Sequence, residues 1–108
     1  MEKSHIINNF EQLTVSNKYA VVLDIEHTCT EDGSIPPKDR ETIEVGAVLV
    51  DCNTLEVVKE YQSFVKPIIH PVISQFCADL TGIQQAELDN SPIFKDFFRR
   101  LNKTGMFL

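Results

Sequence analysis

No apolar run in this 108-residue chain approaches the roughly 18 residues a bilayer-spanning helix needs. Residues 20–23 and 45–50, the longest candidates, are closed off by charges. A helical membrane span is excluded and no membrane partner is expected. The opening MEKSHIINNF has no apolar h-region and no small-residue cleavage site, so the expected location is intracellular and cytoplasmic. Cysteine is scarce and odd in number: Cys29, Cys52 and Cys77 are widely spaced with no CxxC pair, which fits neither a disulfide framework nor a zinc site. They read as reduced thiols. Basic residues are outnumbered, 10 Lys and Arg against 16 Asp and Glu, for a net charge of -6. That excludes a surface that grips phosphate all over, because non-specific nucleic-acid binding rests on cations that neutralise the backbone. A nucleic-acid role then needs a local basic patch or bound metal. Repeats and low-complexity tracts are also missing, which leaves one globular unit.

What is present falls into an order. Residues 1–17 are polar and weakly periodic, and read as a leader with one helical turn around 10–13. Residues 19–25 (YAVVLDI) are nearly continuous β-branched and aliphatic, the pattern of a strand buried on both faces at the centre of a sheet. The polar stretch 28–38 follows as a loop, since Asp32-Gly33 and Pro36-Pro37 forbid both helix interior and central strand. Residues 42–51 and 55–65 flank Cys52-Asn53-Thr54 and predict an antiparallel hairpin, with Ile43, Val45, Ala47 and Leu49 alternating along one face.

The period then changes from two to near four. Ile73, Phe76, Cys77 and Leu80 predict a short helix that Gly82 closes, and Thr81 to Gln84 has capping-box spacing for a second helix through Leu88. Ser91-Pro92 predicts the N-cap and first turn of a third, with Ile93, Phe94, Phe97, Phe98 and Leu101 opposite Lys95, Arg99, Arg100 and Lys103. The expected class is α/β (α+β) over residues 18–108: a strand, a hairpin and short helices. Met106-Phe107-Leu108 reads as the approach to one more strand, so a truncated unit is expected.

The sharpest chemical feature is Asp24-Ile25-Glu26 at the end of the first strand. Alternation puts both carboxylates on one face with Cα atoms roughly 6.6 Å apart, two rises of ~3.3 Å. Carboxylates so placed can bracket two Mg²⁺ or Mn²⁺ ions for phosphoryl chemistry. A strand end that has simply reached solvent gives the same pattern about as often. The apolar strand before the pair and the loop after it favour a site. Glu44 reads as an exposed strand glutamate, with a place facing Asp24 across the sheet as the rarer reading. His70 before Pro71 reads as a turn residue. The Cys29 thiol, beside two acids, reads as unreactive. Lys95, Arg99, Arg100 and Lys103 read as an ordinary solvated face, with phosphate tracking as the rarer use.

Three blocks then carry a resemblance. Leu23-Asp24-Ile25-Glu26-His27-Thr28-Cys29 resembles the first motif of the DEDD 3′–5′ exonucleases, residues 41–48 (ETIEVGAV) resemble their second strand, and residues 76–83 (FCADLTGI) their next helix. In order and spacing they are most similar to the DEDDh branch that includes the RNA-directed exonucleases of RNA interference and histone-mRNA processing. The resemblance implies an RNase H-like fold in which Asp24 and Glu26 are catalytic and hold two Mg²⁺ or Mn²⁺ ions. It implies that His27, Thr28 and Cys29 contact the terminal nucleotide and that Thr81, Gly82 and Ile83 lie near its base. The implied reaction is hydrolysis at a 3′ end, RNA favoured over DNA, releasing nucleoside 5′-monophosphates.

The family also uses a third acid, a general-base His and a fourth acid, all expected beyond Leu108. Asp96 lies on the amphipathic helix and does not match the third acid; the HxxxxD offset of His27 and Asp32 reads as coincidence. An inactive fragment that binds nucleic acid or a partner is the alternative. A remoter one is a haloacid-dehalogenase-type phosphatase with Asp24 as nucleophile, since VVLDIEHT approximates its hhhDxDxT signature. Glu26 in place of the second Asp, and a hairpin where that fold has a crossover, set it far behind.

Overall fold

The computed structural model describes residues 18–106. The expected leader, with its turn at 10–13, lies outside the described residues, as do Phe107 and Leu108. Three strands form one antiparallel sheet in the order β1 (Tyr19–His27), β2 (Thr42–Asp51), β3 (Val57–Phe64). A short 3₁₀ turn at Pro37–Asp39 interrupts the loop between β1 and β2, started by the fixed φ of proline. Three short helices follow: α1 (Gln75–Thr81), α2 (Gln85–Asp89) and α3 (Phe94–Asn102).

The alternation expected along β2 is what places the core. Ile43, Val45 and Ala47 are buried on one face, under two apolar clusters. One joins Val45 and Ala47 to Val65, Phe97, Leu101 and Met106; the other joins Ile43 to Cys77, Ile83 and Leu88. Burying Phe97 and Leu101 stabilises by about 1.5–3 kcal/mol each. Only two members of the phenylalanine-rich stripe are buried, while Phe94 and Phe98 remain half exposed and stack on each other with ring centroids 6.2 Å apart.

Several sequence expectations need correction. β1 lies at the sheet edge, and Val22, Leu23 and Ile25 are about half exposed. The clusters sit over β2 and β3, and among the described residues no strand pairs with the outer edge of β1. The β1 run is therefore not buried on both faces. The capping box belongs to Gln84 and Glu87, with the Gln84 N–H donating to Glu87 Oε1 at 2.8 Å; Thr81 Oγ1 instead donates to the Cys77 carbonyl. α3 starts after Ile93 and not at Ser91-Pro92, because the Pro92 carbonyl accepts from Lys66 N–H and Ile93 bridges Lys66 in parallel. Gly82 closes α1 as expected, in the left-handed region at φ 76°.

The hairpin begins its second strand two residues later than the sequence suggests. Asp51 Oδ1 accepts from the N–H groups of Asn53 and Thr54, and Leu55 donates to the Asp51 carbonyl at φ 61°. A branched side chain in that left-handed conformation costs about 1–2 kcal/mol, and nothing is gained there by burial because Leu55 is 68% exposed. Leu55→Gly is expected to raise unfolding free energy by about 1 kcal/mol, read as an increase in the urea midpoint at unchanged m-value.

Candidate active site

The register of β1 on β2 assembles the site. Asp24 pairs with Gly46 and Glu26 with Glu44, without a break between them. Directly opposed residues share a face, so Asp24, Glu26 and Glu44 stand together on the side of the sheet away from the apolar clusters. β3 extends that face with Gln62 opposite Gly46 and Glu60 opposite Val48. The neighbour across from Asp24 is thus Gly46; Glu44, expected as an exposed strand glutamate with a place facing Asp24 as the rarer reading, is half-buried and faces Glu26. Glu44 is held there by Gln62, whose Nε2 donates to Oε2 at 2.9 Å.

Gly46, opposite Asp24 on this face, is a position that reading for charged groups passed over. With no side chain at that position, the sheet carries a depression of about 340 Å³ whose lining includes Val22, Asp24, Gly46, Val48, Glu60 and Gln62. A glycine inside a strand marks a place where a ligand or another backbone comes close, and that was the available signal. Asp24 is exposed and Glu26 half-buried, so both carboxylates are open to a ligand. Oxygen donors of this kind suit a hard divalent cation. Among the described residues no group of three or more His, Cys, Asp or Glu side chains is gathered closely enough to hold one.

Immediately after Glu26 the ladder slips: His27 pairs with Thr42, leaving Ile43 as the extra residue of a bulge. The segment 27–29 that leaves the bulge is tightly held. Thr28 is 1% exposed, its N–H donates to the Glu41 carbonyl at 2.8 Å, and its Oγ1 accepts from the Glu41 N–H at 2.9 Å. Ser74 Oγ donates to the Cys29 carbonyl at 2.8 Å while accepting from Cys77 N–H at 3.0 Å. The exposed His27 ring donates from Nδ1 to the Thr28 carbonyl at 3.0 Å, since a carbonyl can only accept. Asp32 is engaged elsewhere: its Oδ1 accepts from Ser34 N–H at 2.9 Å, and that bonding holds the carboxyl below its ordinary value.

The expected nucleotide-contacting residues therefore differ in availability. His27 and Gly82 are exposed and Cys29 and Thr81 half-buried, whereas the Thr28 and Ile83 side chains are buried. The basic face of α3 is exposed along Lys95, Arg99, Arg100 and Lys103, with Arg99 paired to Asp96 at 3.3 Å. His70 sits in the turn after β3, as expected, its N–H bonded to Glu41.

Residues 21–105 match the family model described as Exonuclease (RNase_T). The chain belongs to that exonuclease family. It is 32% identical over 107 residues to the 3'-5' exonuclease eri1 of Schizosaccharomyces pombe, covering 94% of this chain and 36% of that protein. Its fold matches the nuclease domain of 3'hExo, a DEDDh family member solved bound to rAMP, with a TM-score of 0.73 and 35% identity over 80% of this chain and 42% of that one. A 3'-exonuclease solved in 3'-end specific recognition of histone mRNA stem-loop matches at a TM-score of 0.72 and 36% identity, covering 78% of this chain and 37% of that one. The chain thus spans about a third of the curated exonuclease relative. The mixed α/β fold is that of the N-terminal part of a DEDDh exonuclease domain, and the phosphatase-like alternative falls away.

Burial pushes the Cys77 thiol above its ordinary value of 9.0, against a bond from the Cys29 backbone that favours the thiolate. Below that value both folded and unfolded chains carry the neutral thiol, and the full stability is present. As pH rises through it the unfolded chain releases a proton that the folded chain keeps, so stability falls. Unfolding midpoints measured across about pH 8 to 10 are expected to decline more steeply for the natural chain than for Cys77→Ala, with the slope as the readout.

Proposed function

We propose that this chain supplies the first metal-binding half of a 3′–5′ exoribonuclease site. The observation that carries the reading is the pairing of Asp24 and Glu26 on one open face of β1, inside a segment matched to the exonuclease family. The structural relative solved in 3'-end specific recognition of histone mRNA stem-loop supports RNA as substrate. Asp24 and Glu26 would hold Mg²⁺ or Mn²⁺. When bound, such ions polarise the scissile phosphate and bring the pKa of the attacking water toward neutrality.

The chain's own contributions follow from the geometry. Asp24 presents its carboxylate over the Gly46 depression, where a phosphate can approach without a side chain in the way. His27 and the 27–29 backbone stand next to that position and would orient the terminal nucleotide, with Cys29, Thr81 and Gly82 as more distant walls. The buried Thr28 and Ile83 would act by holding those walls. Three free cysteines accord with a reducing, cytoplasmic setting.

One observation favours a second reading. With no group of three metal-ligating side chains among the described residues, the chain would bind a 3′ end without cleaving it. The two readings separate on product. The chain is expected to bind Mn²⁺ weakly, read by water-proton relaxation, and Asp24→Asn is expected to weaken this by more than the ~10–100-fold that changes around a metal site cost. With 3′-labelled RNA and Mn²⁺, release of labelled nucleoside 5′-monophosphate that stops in Asp24→Asn supports hydrolysis. Retention of the label on bound RNA supports the binding module. A wild-type chain that binds no Mn²⁺ removes the assignment of Asp24 and Glu26.

A further inference from the structure

Glu41 lies between the loop after β1 and the start of β2, outside the acid face, and makes five hydrogen bonds that serve neither strand ladder. Its carboxylate accepts three consecutive backbone N–H groups, Ile68 at 2.7 Å to Oε2, and Ile69 at 2.8 Å and His70 at 3.0 Å to Oε1. Its backbone makes the two bonds with Thr28 described above. One residue therefore joins the segment that leaves the β1 bulge to the turn that leads into α1.

The join closes a circuit around residues 27–29. On one side Thr28 is fixed by the Glu41 backbone; on the other, α1 and its cap hold the same segment through Ser74 to the Cys29 carbonyl and through Cys77 Sγ to the His27 carbonyl at 3.8 Å. Residues 68–70, gripped by the Glu41 carboxylate, start the turn that delivers Ser74 and Cys77. A carboxylate that accepts three N–H groups makes charge-assisted bonds, roughly twice as strong as neutral ones. Amide at this position would turn a donor toward donors.

We infer that Glu41 is a positioning residue: through Thr28 and through the 68–74 turn it fixes the bulge at Glu26/His27, and with it the direction of the Glu26 carboxylate and of the nucleotide-facing 27–29 backbone. This rests on the proposed metal role of Glu26. Outer partners bonded directly to a metal ligand cost ~10–100-fold in metal affinity or activity when lost; Glu41 bonds no acid of the pair and acts on Glu26 through the bulge, so its loss is expected at the lower end of that range.

The test uses the whole chain with two readouts, amide hydrogen exchange without metal and Mn²⁺ affinity. Glu41→Gln is expected to speed exchange at residues 27–29 and 68–74 while leaving β3 and α3 unchanged, and to weaken Mn²⁺ about tenfold or more. Leu101→Ala, a destabilising change in the other cluster, is expected to leave the Mn²⁺ affinity of the folded chain unchanged. Thr28→Val removes the bond from the Glu41 N–H to Oγ1 while keeping the one from the Thr28 N–H to the Glu41 carbonyl, and serves if Glu41→Gln does not fold; Thr28→Ser, which returns the hydroxyl, is expected to restore both readouts. Unchanged exchange in Glu41→Gln overturns the join. Faster exchange with wild-type Mn²⁺ affinity, or an equal loss in Leu101→Ala, overturns the positioning role. Absence of Mn²⁺ binding by the wild type overturns the metal reading on which the role rests, and the metal-free exchange result tells that failure from a failure of the join.

Discussion

The antiparallel register between β1 and β2 is the constraint on which the rest depends. A slip of one residue would turn Asp24 and Glu26 toward the helices and bring Ile25 to the open face, because side chains alternate along a strand. What prevents the slip lies mainly in β2. Ile43, Val45 and Ala47 are fixed under two apolar clusters, so the opposite face, with Glu44 and Gly46, has no freedom to exchange places with them. β1 then has to match its own apolar positions, Val21, Leu23 and Ile25, to that buried face. Stability of the β2 core and geometry of the acids are one constraint seen from two sides.

That constraint ends at Glu26, and a different one takes over. The bulge at Glu26/His27 releases the chain from the ladder where a ligand-facing segment begins. Without further bonds, residues 27–29 would lead into a polar loop that reaches to the start of β2 at Thr42, and would sample many directions. Thr28 and Glu41 stop this from the β2 side, and Ser74 and Cys77 stop it from the α1 side. Thr28, the buried polar residue among the described residues, has its N–H and its Oγ1 each bonded to the Glu41 backbone, as burial at 1% exposure requires.

Much of this was legible in the sequence, for stated reasons. The hairpin and the buried face of β2 follow from strict alternation at 43, 45, 47 and 49. The close of α1 follows from Gly82, whose positive φ a side chain would strain. The Asp24 and Glu26 pair follows from period-two geometry. Other features were not legible because they depend on neighbours distant in sequence. An apolar run such as YAVVLDI reports affinity for burial, and it cannot report that the cover falls over β2 and β3 while β1 stays at the edge. The start of α3 moved because Pro92 and Ile93 bridge Lys66, a contact no local signal announces. The role of the Glu41 carboxylate carried no local signal, since a glutamate before a strand usually meets water, and only the turn at 68–70 gives that side chain its partners.

The alternation that builds the site also interleaves stability and chemistry at single-residue resolution. Leu23, Ile25, Val45 and Ala47 lie on the sheet face that carries the clusters, with Val45 and Ala47 beneath them, while Asp24, Glu26, Glu44 and Gly46 lie on the other, so each position of the acid face has neighbours on the opposite face on both sides in sequence. A substitution on the open face removes no core contact, and one on the buried face moves the acids only by moving the strand. Gly46 shows the division most plainly. A Cβ built there meets nothing closer than the Asp24 carbonyl at 3.9 Å, an ordinary contact, so the fold itself has room for a side chain. Folding alone does not require glycine at that position.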